Sequence, residues 1–383
     1  MRHRAMSITG VRRHRLLILL LPVLLLVAFL LQSDSINILK IWSPRCATTT
    51  GSNGDAVSRN SSPHRISKVS MLFGKNDLYE RALETHREHN EMHGYGMKVL
   101  REQLTDGYWN KLLYILSLLV EELAKPPTRR IEWFMWVDAH VVLLNPQIPL
   151  DIFLPVQDNN FRETHFIGTR NDGDFVPSVF FIHVHPWSIK LLVKAMAVPM
   201  IDELAELGSA MDRRALSYIL DETEFRDSVI YQPWHWFHES FSSNAKEGSD
   251  RRGTLLAQFP SNLKAARWKQ LADCLDRLHR IEENTAIPFE DTFYLEETER
   301  FWELARDVNF MLLVTKQLQK GLTEWNEDIA AASSRLEDVL SYDLDQKQQA
   351  MEAIEDVKKL VSTIQVPQRP VKEVDKGEWI EPP

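Results

Sequence analysis

The sequence predicts an α/β architecture, with one central sheet covered by helices on both faces. Three observations point to it. Short apolar runs rich in β-branched and aromatic residues alternate with helical periodicities from about residue 66 to 262. One run, "IEWFMWV", is apolar without a break after Glu132, as a strand buried on both sides must be. That run stops at an acid, Asp138, and ligands of such sheets bind beyond the carboxyl ends of the strands.

The elements follow in chain order. Residues 1–15 form a basic tail with Arg2, Arg4, Arg12, Arg13 and Arg15, and no acid occurs before Asp34. Residues 16–31 are the unbroken run "LLILLLPVLLLVAFLL". As a helix it would span about 24 Å, enough for a thinner membrane. The arginines place the N-terminal side in the cytosol. This is expected to be an uncleaved signal anchor, hence a single-pass type II topology. The rival is a cleaved signal peptide, although "LQSDSINILK" offers no small-x-small site. Residues 32–65, rich in Ser, Thr, Gly and Asn without apolar periodicity, read as a stem. They carry the sequon Asn60-Ser61-Ser62, which fits a luminal side.

"RISKVSMLFG" reads as a strand closing on Gly74, followed by the helical "NDLYERALETHREHNEMHG" and the short strand "YGMKVLRE". "YWNKLLYILSLLVEELAKPP" has helical spacing and is stopped by Pro126 and Pro127. The strand ending at Asp138 comes next, then strands in "THFIGTR" and "SVFFIHV". "HPWSIKLLVKAM" and "SAMDRRALSYILDE" read as helices, and "SVIYQPWHWF" and "TLLAQF" as strands. Residues 263–365 are dominated by charged helical patterns and are expected to pack as amphipathic helices on the sheet, with 366–383 as a tail.

Composition narrows the class. With 44% hydrophobic and 26% charged residues the chain is globular rather than disordered. The formal net charge of −9 grows more negative once the N-terminal arginines are set aside, which argues against nucleic acid as a partner. Two cysteines, Cys46 and Cys274, make neither a disulfide framework nor a zinc site; one bridge between them, or an interchain bridge through Cys46, stays open.

Two acids spaced Asp-x-Asp at a strand end would hold Mg²⁺ or Mn²⁺ against a nucleoside diphosphate. Here the triplet is Asp138-Ala139-His140. Its surroundings carry a resemblance. "MLFGKNDLYERALETHREHNEMHGYGMKVL", "GYWNKLLYILSLL", "EWFMWVDAHVVLLNPQIPLDIFLP", "VFFIHVHPWSIKLL" and "VIYQPWHWFHE" occur in that order. Over about residues 66–262 the chain resembles glycosyltransferase family 34, the galactosyl and α-1,6-mannosyl transferases, as a fungal-type member. The resemblance implies a GT-A fold, a UDP-galactose or GDP-mannose donor, a glycan acceptor, Mn²⁺, retention of anomeric configuration, and a Golgi or endoplasmic-reticulum membrane location.

Carried over position by position, the match is uneven. Asp138 stands at the first aspartate of the metal motif, and His140 where the second acid is expected, leaving Asp138 and His140 as the implied metal contacts. Val176, Pro177, Ser178 and His183 replace an Asn, Ala, Gly and Arg. Asp212 is kept, with Arg213 in place of a Gln. Gln258 stands where a His would be the third metal ligand, and amide is the poorer donor for Mn²⁺. The aromatic and proline positions Trp133, Trp136, Pro146, Phe180, Trp187, Trp236 and Phe237 are retained.

Further candidates have two readings each. Lys111 could neutralise a donor phosphate or be a solvated lysine at a helix start. Gly74 could admit the nucleotide or simply turn the chain. Asp172 and Asp174 could approach the sugar, although "NDGD" is a turn signal first. Asp212 could orient the transferred sugar or cap a helix. His183, His185, His235 and His238 read as ordinary half-buried histidines. Two functions follow: a hexosyltransferase with Asp138 on the metal and Asp212 nearest the sugar, or a non-catalytic relative serving as a binding or scaffolding subunit of a transferase complex. His140, Gln258 and Val176-Pro177-Ser178 weigh toward the second.

Overall fold

The computed structural model describes residues 65–363 except 106, 108, 157, 158, 172, 202–210, 241–252, 260–263, 281–286, 323–325 and 341–346. The expected basic tail 1–15, signal anchor 16–31, all of the stem 32–65 but Arg65, sequon Asn60-Ser61-Ser62, Cys46, Asp172 and tail 366–383 therefore lie outside the described residues. Among the described residues, no helix is long and apolar enough to cross a membrane.

The mixed α/β sheet flanked by helices that the sequence predicts is present. β1 (Ile66–Met71), β2 (Gly96–Leu100) and β3 (Trp133–Val137) run parallel, in the order β2-β1-β3. The helices α1 (Asp77–His93) and α2 (Asn110–Leu123) connect them, as parallel pairing requires. The sheet continues through β7 (Val179–His183), antiparallel to β3, to β5 (Phe166–Asn171). β5 also pairs antiparallel with β6 (Asp174–Phe175) and parallel with β8 (Val229–Gln232). A small second sheet joins β4 (Val142–Leu143), β10 (Leu256–Gln258) and β9 (Glu239–Ser240).

β3 explains why one sheet can have two cores. Its five residues are all buried. Trp133, Met135 and Val137 enter one apolar cluster, whereas Phe134 and Trp136 enter the other. That is the two-residue alternation of a strand, here apolar on both sides. The second cluster is completed by α2, α3 (Pro186–Ile201) and α4 (Met211–Leu220), through side chains such as Leu119, Leu191 and Leu216. The first is completed by C-terminal helices α7 (Tyr294–Gly321), α8 (Glu327–Asp338) and α9 (Lys347–Thr363), which contribute Tyr294, Phe301, Trp302, Leu336 and Val357. Burying a side chain of this size contributes about 1.5–3 kcal/mol, so the charged C-terminal helices are part of the core rather than an appendage.

Local signals set the boundaries near the site. Asn76 caps α1 by accepting the Tyr79 N–H at 3.2 Å, and Gly94 ends it at φ 71°, a left-handed conformation that costs glycine nothing. "SVIYQPWHWF" does not form one strand as expected. β8 stops at Gln232 because Pro233 has no N–H for the ladder, and Trp234–Trp236 form a single 3-10 turn. Cys274, in α6 (Lys264–Arg280), is a buried free thiol whose pKa burial pushes up to about 12.

Candidate functional site

The strand order places the candidate residues along one edge of the sheet. Gly74 follows the carboxyl end of β1, and Asp138 that of β3. Ser178 precedes antiparallel β7, Asp174 lies in the β5–β6 hairpin, and α4, which carries Asp212, packs beside β6. The parallel strands wind outward from β1 toward β2 on one side and β3 on the other, so Gly74 and Asp138 flank the point where the winding reverses.

Asp138 is held from several sides. Its N–H donates to the Ser178 carbonyl at 2.9 Å, and its own carbonyl accepts the Val141 N–H at 2.9 Å, which makes the Asp138–Val141 turn. Its Oδ1 accepts Trp136 Nε1–H at 2.8 Å and meets Lys111 Nζ at 3.2 Å. Trp136 and Asp138 are two residues apart, so strand alternation puts them on one face.

Lys111 is not a solvated lysine at a helix start. It is 5% exposed, donates to the Pro177 carbonyl at 3.1 Å and lies 4.8 Å from the Trp136 ring centroid. Asn110 makes that placement possible. Its side chain accepts the N–H groups of Leu104 and Thr105 and donates to the carbonyls of Thr105 and Gly107, closing the loop that enters α2.

The remaining groups divide into those near Asp138 and those further along the edge. His140 turns toward α1 and α6: its ring centroid is 6.2 Å from that of Tyr79, which stacks on Trp268 at 5.6 Å. Burial lowers its pKa, with nearby Arg267 and Lys111 acting in the same direction and Asp138 opposing them, so the imidazole is neutral near pH 7. Gln258 is buried, accepts the Ser178 hydroxyl at 2.9 Å and donates to the Phe237 carbonyl at 3.1 Å. His238 stacks on Trp234 at 3.7 Å and its Nε2 meets the Thr169 hydroxyl at 2.7 Å; burial brings its pKa down to about 4. Among the described residues the buried Nδ1 of His238 makes no well-aligned hydrogen bond, with the Gln258 side chain beside the imidazole.

Asp174 is 78% exposed and pairs with Arg213 at 3.2 Å, while Asp212 occupies the first turn of α4. Three strand steps separate β3 from β6, about 14 Å across the sheet. Gly74 has φ 70° with open space around its α-carbon, and Gly173 turns the β5–β6 hairpin at φ 85°. His235 points elsewhere, pairing with Glu297 of α7 at 2.7 Å. His183 and His165 share a 3.0 Å Nδ1–Nδ1 hydrogen bond at the opposite end of the sheet. They lie beside a cavity of about 730 Å³ lined by Arg65, Arg130, Trp133, His183 and His185.

The sequence reading passed over Trp136 as a partner of Asp138 and a cluster behind the site, and His238, expected to be half-buried, is buried. In that cluster Lys68 is wholly buried, with Nζ 2.6 Å from His89 Nδ1 and 3.3 Å from His86 Nδ1. The other ring nitrogens reach backbone carbonyls that follow the site acid: His86 Nε2 to Val141 at 3.2 Å and His89 Nε2 to Ile148 at 2.8 Å. His93 Nε2 reaches the Pro146 carbonyl at 2.8 Å. A carbonyl can only accept, so Nε2 carries the proton and Nδ1 of His86 and His89 faces Lys68 with its lone pair. The signal for this was the spacing in "HREHNEMH", which places the three histidines on one helix face.

No family model matches the chain, and no curated protein matches it, so family 34 remains a resemblance. Among solved structures the chain is similar to a glycosyltransferase involved in the glycosylation of the major capsid of PBCV-1. That likeness has 16% sequence identity and a TM-score of 0.42, and covers 54% of this chain and 98% of that one.

Proposed function

We propose that the chain is a nucleotide-sugar-dependent glycosyltransferase of the GT-A kind. It binds a nucleoside diphospho-sugar, UDP-galactose or GDP-mannose, beyond the carboxyl ends of β1 and β3 and passes the hexose to a glycan hydroxyl. The bond from the anomeric carbon to the diphosphate breaks, the bond to the acceptor oxygen forms, and the acceptor proton leaves. Retention of configuration follows the family resemblance. The observation that carries the reading is the position of Asp138, at the end of a central strand and beside the reversal of winding, where such sheets take nucleotides. Asp174 and Asp212 lie further along the same edge, on the side left for sugar and acceptor. The basic N-terminus and the run 16–31 support a type II anchor in a Golgi or endoplasmic-reticulum membrane, with the transferase domain luminal.

A second reading, a non-catalytic binding or scaffolding subunit, draws on the immobilised Gln258 and the Lys111–Asp138 pair. Measurement of both donor binding and donor turnover on the purified full-length chain separates the two. Binding with hydrolysis or transfer supports the transferase. Binding without turnover supports the subunit. Absence of binding to either nucleotide sugar sinks the transferase and leaves the scaffolding role. A His140→Asp, Gln258→His double variant that gains turnover over an inert parent identifies those two substitutions as the cause of the loss.

A further inference from the structure

We propose that Lys111, rather than a divalent cation, is the counter-charge of Asp138, and that the donor's diphosphate is held at this edge without a metal. The inference rests on the nucleotide-sugar reading above.

The first ground is the chemistry of the donor set. Mn²⁺ calls for several hard oxygen or imidazole donors with their lone pairs free and converging. Asp138 offers one carboxylate, whose Oδ1 already takes the Trp136 indole N–H and the Lys111 ammonium. Gln258 has its oxygen on the Ser178 hydroxyl and its nitrogen on the Phe237 carbonyl, so the amide is fixed from both ends. His140 has its ring against Tyr79, with centroids 6.2 Å apart. Among the described residues, no three His, Cys, Asp or Glu side chains converge to hold an ion.

The second ground is charge. An Asp-x-Asp site presents two negative groups and attracts a cation. Here His140 stands in place of the second acid, and the one carboxylate, Asp138, is already met by the Lys111 ammonium at 3.2 Å. A carboxylate so paired draws a divalent ion less than two free ones would, and the fixed ammonium favours a diphosphate at the same edge. Lys111 is suited to hold the charge in place. Its ammonium is fixed by Asp138, the Pro177 carbonyl and the Trp136 ring, and its side chain is anchored at the start of α2 by the Asn110 loop. The acceptor is the backbone carbonyl of Pro177, within the Val176-Pro177-Ser178 segment.

The test uses the full-length chain and two independent readouts. Manganese electron paramagnetic resonance, with no nucleotide present, is expected to show the free aquo ion undiminished by the protein. A bound fraction that disappears in Asp138→Asn overturns the proposal. Equilibrium dialysis with UDP-galactose and GDP-mannose is expected to give the same affinity in EDTA as in MnCl₂. Lys111→Met is expected to weaken donor binding about tenfold or more, the scale of one charge-assisted contact, with Lys111→Arg retaining most of it. Circular dichroism confirms that both variants fold. Binding that requires Mn²⁺ overturns the metal-free inference while leaving the nucleotide-sugar reading intact. No binding in either buffer overturns that reading and the donor part of the inference together. An unchanged affinity in Lys111→Met shows that its charge is not used.

Discussion

The indole N–H of Trp136 donates to the carboxylate of Asp138, two residues further along the same strand face, at 2.8 Å. The largest fully buried side chain of the second core and the acid of the candidate site are thus one unit. Trp136→Phe keeps most of the apolar volume and removes the donor. A hydrogen bond to a charged group contributes about 1.5–3 kcal/mol, and a loss of that size in urea unfolding is expected. A loss below about 0.5 kcal/mol would show the bond to be dispensable.

Ser178 and Gln258 form the second fixed contact at the site. Ser178→Ala leaves the Gln258 oxygen buried with that partner removed, at a cost of about 1–3 kcal/mol. The Ser178→Ala, Gln258→Leu pair removes both polar ends and is expected to recover part of that stability. A double-mutant cycle checks this, and strict additivity would argue against the coupling.

Stability is expected to fall in acid. Burial pushes His89 down to about 2, His165 to about 3 and His238 to about 4, and lowers His86 as well. Each is neutral when folded and takes a proton near pH 6.5 when unfolded. The unfolded chain therefore binds more protons below about pH 6.5, and the stability present above that pH is lost as it falls toward the folded values. Lys68, also lowered by burial, extends the rise on the alkaline side toward its unfolded value of 10.5.

Lys68 adds to the lowering at His86 and His89 through its charge. Lys68→Met is accordingly expected to flatten the dependence of the melting temperature on pH at both ends. Thermal melts from pH 4 to 10 on the two proteins test it, and an unchanged slope would sink the assignment.

Gly74 separates a turn from a close approach. At φ 70° with nothing within 4 Å, alanine is strained by the backbone alone, about 1–2 kcal/mol. If Gly74→Ala lowers stability by that amount and leaves donor affinity unchanged, the glycine serves the turn. A loss of donor binding beyond the stability effect assigns it to the nucleotide.

The sequence by itself determined the alternating elements, the capped ends of α1, the two-sided burial of "WFMWV", and an acid at the carboxyl end of β3. These depend on periodicity and on local backbone chemistry, which neighbours in the chain specify. Even the Trp136–Asp138 pair was within reach, since strand alternation places both on one face. Tertiary structure alone decided the rest. Lys111 meets Asp138 across 27 positions of sequence, Ser178 meets Gln258 across 80, and Lys68 meets His89 across 21. Each pair is brought together by packing between elements: α2 against the end of β3, the second sheet against the start of β7, and α1 against β1. That packing turned a lysine readable as solvated into a buried counter-ion, because the surroundings of Trp136 exclude the water that would otherwise solvate it.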